Sequence, residues 1–146
     1  MDELDLRIRN HLYGSFARSA TVQGAAEAAA ELELDEAEVE AAFRRLHAAH
    51  AIVLDGKRIR MLNPFSAVET PHRVESAGRS WFANCAWDAL GIPAALHADA
   101  TIESACPDCG EELRLEVLDG ALSRGSELLV HFVVPAARWW DDIGFT

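Results

Sequence analysis

The chain has 146 residues, half of them apolar and a quarter charged, which is enough for one compact domain or two small ones. Its formal net charge of −11, from 13 basic against 24 acidic residues, argues against binding a polyanion. No apolar run approaches bilayer length, and the charged start MDELDLRIRN is unlike a signal peptide, so a cytoplasmic location with no membrane partner is the default expectation.

Leu4, Ile8 and Leu12, extended by Tyr13, recur at helical spacing and predict a first helix. An alanine-rich stretch from Thr21 to Leu32 predicts a second, weakened at its start by Gly24. A third begins at Asp35, an N-cap with Glu38 at the capping-box position, and buries Val39, Ala42, Phe43 and Leu46. Ile52-Val53-Leu54 and Ile59 to Leu62 then flank Asp55-Gly56, a two-residue hairpin signal. Three helices followed by a hairpin is the pattern of a winged helix-turn-helix. The candidate recognition helix nevertheless opens Asp35-Glu36-Ala37-Glu38, with only Arg44, Arg45, Lys57, Arg58 and Arg60 to favour DNA, so a scaffold or lid is preferred to a nucleic-acid partner.

Residues 63–79, with Pro64, Pro71 and Gly78, read as a connector between a winged-helix-like unit (1–62) and a second unit (80–146). The second unit opens with SWFANCAWDALGIP, read as a helix from Ser80 ended by Gly91 and Pro93. Cys85 and Asp88, three residues apart, share one helical face with Trp81 a turn earlier. Strands follow at Thr101–Ala105 and Leu113–Val117, then a buried strand at Leu128–Val134 and a short helix at AARWWDDI. Ile143-Gly144-Phe145 reads as the start of a further strand. The fold class is α+β, the second unit being a small mixed sheet with helices.

Three cysteines in a cytoplasmic chain are thiols or metal ligands sooner than a disulfide framework. Cys106-Pro107-Asp108-Cys109-Gly110 has the shape of one zinc knuckle. A closed site needs four ligands, so Cys85 and a histidine such as His131 would have to complete it. The same CxxC is open to a redox pair or two unpaired thiols. His131 reads as a core histidine, His47 and His50 as solvated, and Trp139-Trp140 with Asp141-Asp142 as helix packing with a solvated face. Cys85 is open to simple packing, but a mid-helix Asp88 is costly to bury without a reason.

Pro64-Phe65-Ser66, RSWFANCAWDALGIPAAL and TIESACP resemble the organomercurial (alkylmercury) lyases over Asn63 to Val117, and the helical first unit agrees with that family's winged-helix-like first domain. The resemblance implies protonolysis of carbon–mercury bonds to a hydrocarbon and mercuric ion, with an organomercurial substrate, no cofactor, and hand-off of the ion to a mercuric reductase. It places the attacking, mercury-binding thiol on Cys85 and the proton-carrying carboxyl on Asp88. Soft mercury prefers thiolate, and the departing carbon needs a proton that a neighbouring carboxyl supplies, its pKa raised by Trp81 and Trp87.

The family's second active-site cysteine would fall at or just beyond position 147, so the chain reads as C-terminally truncated. An in-frame UGA encoding selenocysteine is the hypothesis that the nucleotides after codon 146 test. Cys106, matching a cysteine usually considered structural, and the additional Cys109 are candidates for the missing mercury ligand or for zinc. The readings from other classes are a non-catalytic thiol protein binding soft metal and a winged-helix metal-responsive regulator.

Overall fold

The computed structural model describes residues 1–143; the expected strand start at Ile143-Gly144-Phe145 falls largely outside them. Helix α1 spans Glu3–Ser19, opened by a capping box in which Asp2 accepts from Asp5 N–H at 2.9 Å and Asp5 from Asp2 N–H at 3.2 Å. Its buried stripe is Ile8, Leu12 and Phe16. Helix α2 covers Ala25–Leu32. Gly24 is its N-cap, so the turn it was expected to weaken lies outside the helix. Helix α3, Glu36–Ala48, is capped by Asp35, which accepts from Ala37 N–H at 2.8 Å, and buries Val39, Ala42, Phe43 and Leu46 as its periodicity predicts.

The hairpin follows as β1 (Val53–Asp55) and β2 (Arg58–Leu62). Lys57 of its turn pairs with Glu40 of α3 at 2.7 Å, and Arg44 approaches the same carboxylate at 3.7 Å. Residues 63–79, expected as a connector, contribute β3 (Phe65–Ser66) and β4 (Arg73–Ser76) to the sheet. Next come β5 (Arg79–Ala83), α4 (Ala86–Leu96), β6 (Ala100–Ala105), β7 (Glu112–Leu118) and β8 (Ala121–Arg124). The eight strands form one sheet in the order β1-β2-β3-β5-β4-β6-β7-β8. The architecture is α+β; the sheet, expected as mixed, is antiparallel at every pairing.

A continuous apolar core joins the helices to this sheet, from Ile8 and Phe43 through Phe65 and Trp81 to Ile92 and Ile102. Phe16 of α1 stacks obliquely on Phe65 with ring centres 5.5 Å apart, and the Trp81 indole N–H donates to Phe16 O at 3.3 Å. Burial of large side chains on both sides of that seam stabilises each by about 1.5–3 kcal/mol.

Several sequence expectations are corrected here. Ser80–Ala83 is strand, not helix: Trp81 and Ala83 point into the core, and Trp81 pairs across to Val74. Gly91 and Pro93 do not end α4, which continues to Leu96. Gly91 instead lets Pro64 pack against the helix, since a Cβ there would stand 3.2 Å from Pro64 Cβ. Leu128–Val134 is neither strand nor buried: Leu129 is 94% and Val133 76% exposed, and His131 is exposed rather than a core histidine. With no strand to pair it among the described residues, the run gains burial by laying Phe132 against Trp87 and Trp139. A 3-10 helix, Ala136–Asp141, stands where a short helix was expected. No helix among the described residues is long and apolar enough to cross a membrane.

Candidate active site

The chain leaves β5 at Ala83, passes Asn84, and enters α4 with Cys85 as N-cap in extended conformation (φ −150°). That backbone sets the Cys85 side chain over the first turn, where N–H groups lack intrahelical partners. The sulfur makes no regular capping hydrogen bond. The N–H groups of Asp88 and Trp87 nevertheless face it closely enough to favour the thiolate. Burial outweighs them and pushes the Cys85 thiol up, with the Asp88 charge adding in the same direction. Asp88, three residues into the helix, is likewise raised by burial, against hydrogen bonds from Asn84 and Cys85 that pull it down. Thiol and carboxyl thus interact with each other, and burial shifts the pKa of each upward from its ordinary value.

Asn84 is the residue that sequence reasoning missed. Its amide Nδ2 lies 3.1 Å from Asp88 Oδ2, 3.0 Å from Asn63 Oδ1, and 3.3 Å from the carbonyl oxygens of Pro64 and Phe65. Four acceptors around one nitrogen fix the amide's orientation and leave the buried Oδ1 without a partner among the described residues. Asn84 therefore ties the acid to the segment around the cis Asn63–Pro64 peptide. A lone Asn beside a Cys carries no sequence signature for that role.

These groups open into a cavity of about 370 Å³, also lined by Met61, Asn63, Trp87, Phe132, Trp139 and Trp140. His50, expected to be a solvated helix residue, follows α3 with φ +60° and stacks on Trp140, ring centres 3.8 Å apart and planes 5° from parallel. Trp139 and Trp140, read as packing, are cavity walls. Trp87 is a wall as expected, but Trp81 belongs to the core and not to this lining. Tyr13 of α1 is near enough to Asp88 for that charge to raise its pKa, after burial; its hydroxyl donates to Ala51 O at 2.6 Å. A larger groove, about 630 Å³, lies between α4 and the β7–β8 turn, but it contains no thiol and has His97, Asp99 and Asp119 as its polar lining.

The structure brings Cys85 and Asp88 together and leaves the other two thiols elsewhere. Cys106 and Cys109 sit on the β6–β7 connection, and neither lines the cavity. All three cysteines are free, and no group of three or more His, Cys, Asp or Glu side chains among the described residues could hold a metal ion.

The site of this α+β protein is a desolvated thiol over a helix N-terminus, a carboxyl beside it and aromatic walls. The comparisons with known proteins agree in kind. Residues 65–146, more than half the chain, match the family model "MerB: Alkylmercury lyase", and the chain belongs to the alkylmercury lyase family. Among solved structures, the mercury-bound form of MerB2 superimposes with a TM-score of 0.72 at 22% identity, covering 87% of this chain. The chain spans 62% of that protein's length. None of the curated proteins compared with it matches.

Proposed function

We propose that the protein is an organomercurial lyase, cleaving carbon–mercury bonds by protonolysis with Cys85 as nucleophile and Asp88 as proton carrier. The observation that carries this is a half-buried thiol at the N-cap of α4 with a desolvated carboxyl one turn on, both lining one aromatic cavity. Family membership and the mercury-bound relative of like fold support it.

In this reading an organomercurial cation enters the aromatic cavity and mercury bonds to Cys85 Sγ. Soft thiolate suits mercury far better than any oxygen ligand in the lining. The thiol proton passes to the Asp88 carboxylate as the sulfur–mercury bond forms. Burial makes that carboxylate a stronger base than a solvated one, so it accepts the proton and holds it. Asp88 then protonates the carbon as the carbon–mercury pair becomes the new C–H bond. Hydrocarbon leaves, mercury stays on sulfur, and the carboxylate is regenerated. One proton has moved from sulfur to carbon and no electron has been gained or lost, so the reaction calls on no redox cofactor.

The aromatic walls exclude water that would otherwise level the carboxyl's pKa and also receive the organic group. Three free thiols suit a reducing compartment such as the cytoplasm, and the mercuric ion is then available to a mercuric reductase. The test is incubation of the purified chain with a phenylmercury salt. Benzene, by headspace gas chromatography, is expected from the wild type and not from Cys85→Ser; equal release from both defeats the proposal.

A further inference from the structure

The two thiols outside the cavity share one tight turn. The turn Cys106-Pro107-Asp108-Cys109-Gly110 is closed by Gly110 N–H donating to Cys106 O at 2.8 Å and Cys106 N–H donating to Glu111 O at 2.9 Å. Gly110, at φ +74°, supplies the left-handed step that turns the chain into β7. The neighbouring backbone N–H groups of Cys109 and Asp108, with the Cys109 thiol, lower the pKa of Cys106. Cys109 is exposed and Cys106 half-buried, so the pair is open to solvent. Two thiols three residues apart on one closed, solvent-open turn make a bidentate set of soft ligands, and the nearby N–H groups favour negative sulfur.

The number of ligands decides which cation. A closed zinc site takes four, and the described residues offer no third His, Cys, Asp or Glu to this turn. Mercuric ion is satisfied by two thiolates. We propose that the Cys106–Cys109 turn is an exposed dithiol site that binds mercuric ion as a bis-thiolate chelate, separate from the Cys85 cavity. Two sulfur–mercury bonds form as the two bonds to the monothiolates that carried the mercury break, and the two cysteine protons go to those leaving thiolates. Oxidation states are unchanged throughout. The ligand is inorganic mercuric ion, so the proposal stands apart from the lyase reading and survives its failure.

The test uses the full chain carrying Cys85→Ser, so that the cavity thiol contributes nothing. Mercuric chloride is added with excess monothiol, and the mercury retained per chain is counted by native mass spectrometry. One ion per monomer is expected, and adding Cys109→Ser weakens retention by about a hundred-fold or more, the loss of the chelate. Because Cys109 is exposed, that variant keeps its fold, and Cys109→Ser alone leaves phenylmercury turnover unchanged. Cys106→Ser, tested in parallel, weakens retention to the same extent. No retained mercury in the Cys85→Ser chain overturns the proposal, as does retention indifferent to Cys109→Ser. Mercury held only in species of two chains also overturns it, making the turn half of a site shared between copies.

Discussion

Asp5 and Asp88 occupy the same place in their helices, the third residue after the N-cap, and their pKa values shift in opposite directions. Asp5 is 1% exposed, yet its pKa is lowered. The Arg45 guanidinium, with Nη2 at 2.7 Å and Nε at 2.9 Å, outweighs the burial, and the Asp2 N–H completes a capping box. Asp88 has no cation. Its partners are an amide and a thiol, its walls are aromatic, and burial prevails. A carboxyl at a helix start is favoured by the helix dipole in both places. What separates the two carboxyls is the neighbour: Arg45 of α3 for Asp5, Asn84 and Cys85 just upstream for Asp88.

The contrast fails first if Cys85→Ser keeps activity; a loss of about a thousand-fold or more in hydrocarbon release is expected, since serine offers mercury no soft ligand. Asp88→Asn comes next, with kcat lower by about 10²–10⁴-fold, the usual worth of a positioned proton carrier. The same variant sharpens the comparison through stability. A carboxyl whose folded pKa is raised contributes stability below the ordinary carboxyl range and loses it as pH rises through the folded value. Asp88→Asn is therefore expected to melt higher than wild type at neutral pH, by about a few degrees, and to converge with it in acid.

Asp5→Asn should show the mirror image. A lowered folded pKa gives stability that is present above the ordinary carboxyl range and lost as pH falls through the folded value. The variant melts below wild type at neutral pH, the gap closes in acid, and kcat barely changes; thermal melts from pH 3 to pH 8 read both variants together. The smallest effect belongs to Asn84→Ala. Losing its hydrogen bond lifts Asp88 further, so the pH at which Asp88's contribution to stability is lost moves upward, while turnover changes by about tenfold or less. An unmoved profile in that variant removes Asn84 from the site.

The helical stripes and the hairpin were legible because their periods differ: Ile8 and Leu12, or Val39 to Leu46, repeat as helix, and Asp55-Gly56 interrupts two short apolar runs. The Cys85–Asp88 spacing was legible too, since it depends only on three consecutive steps along α4. Its beginning was misread because Trp81 and Phe82 suit a strand as well as a helix, and sheet pairing with β4 and β3 decides between them. The cavity itself was not legible. Its walls come from His50, Met61, Phe132 and Trp140, brought together by tertiary packing that no local pattern encodes. Leu128–Val134 misled for the same reason: an apolar run reads as a buried strand until one sees that its aromatic residue, Phe132, covers the site.

The measurement that reaches the central claim most directly is a single turnover of phenylmercury by wild type and Asp88→Asn, following mercury bound to Cys85 by mass spectrometry and benzene released in the same sample. Wild type is expected to bind the phenylmercury cation and release benzene, whereas Asp88→Asn holds phenylmercury intact on Cys85. Benzene released by Asp88→Asn as fast as by wild type would contradict the account.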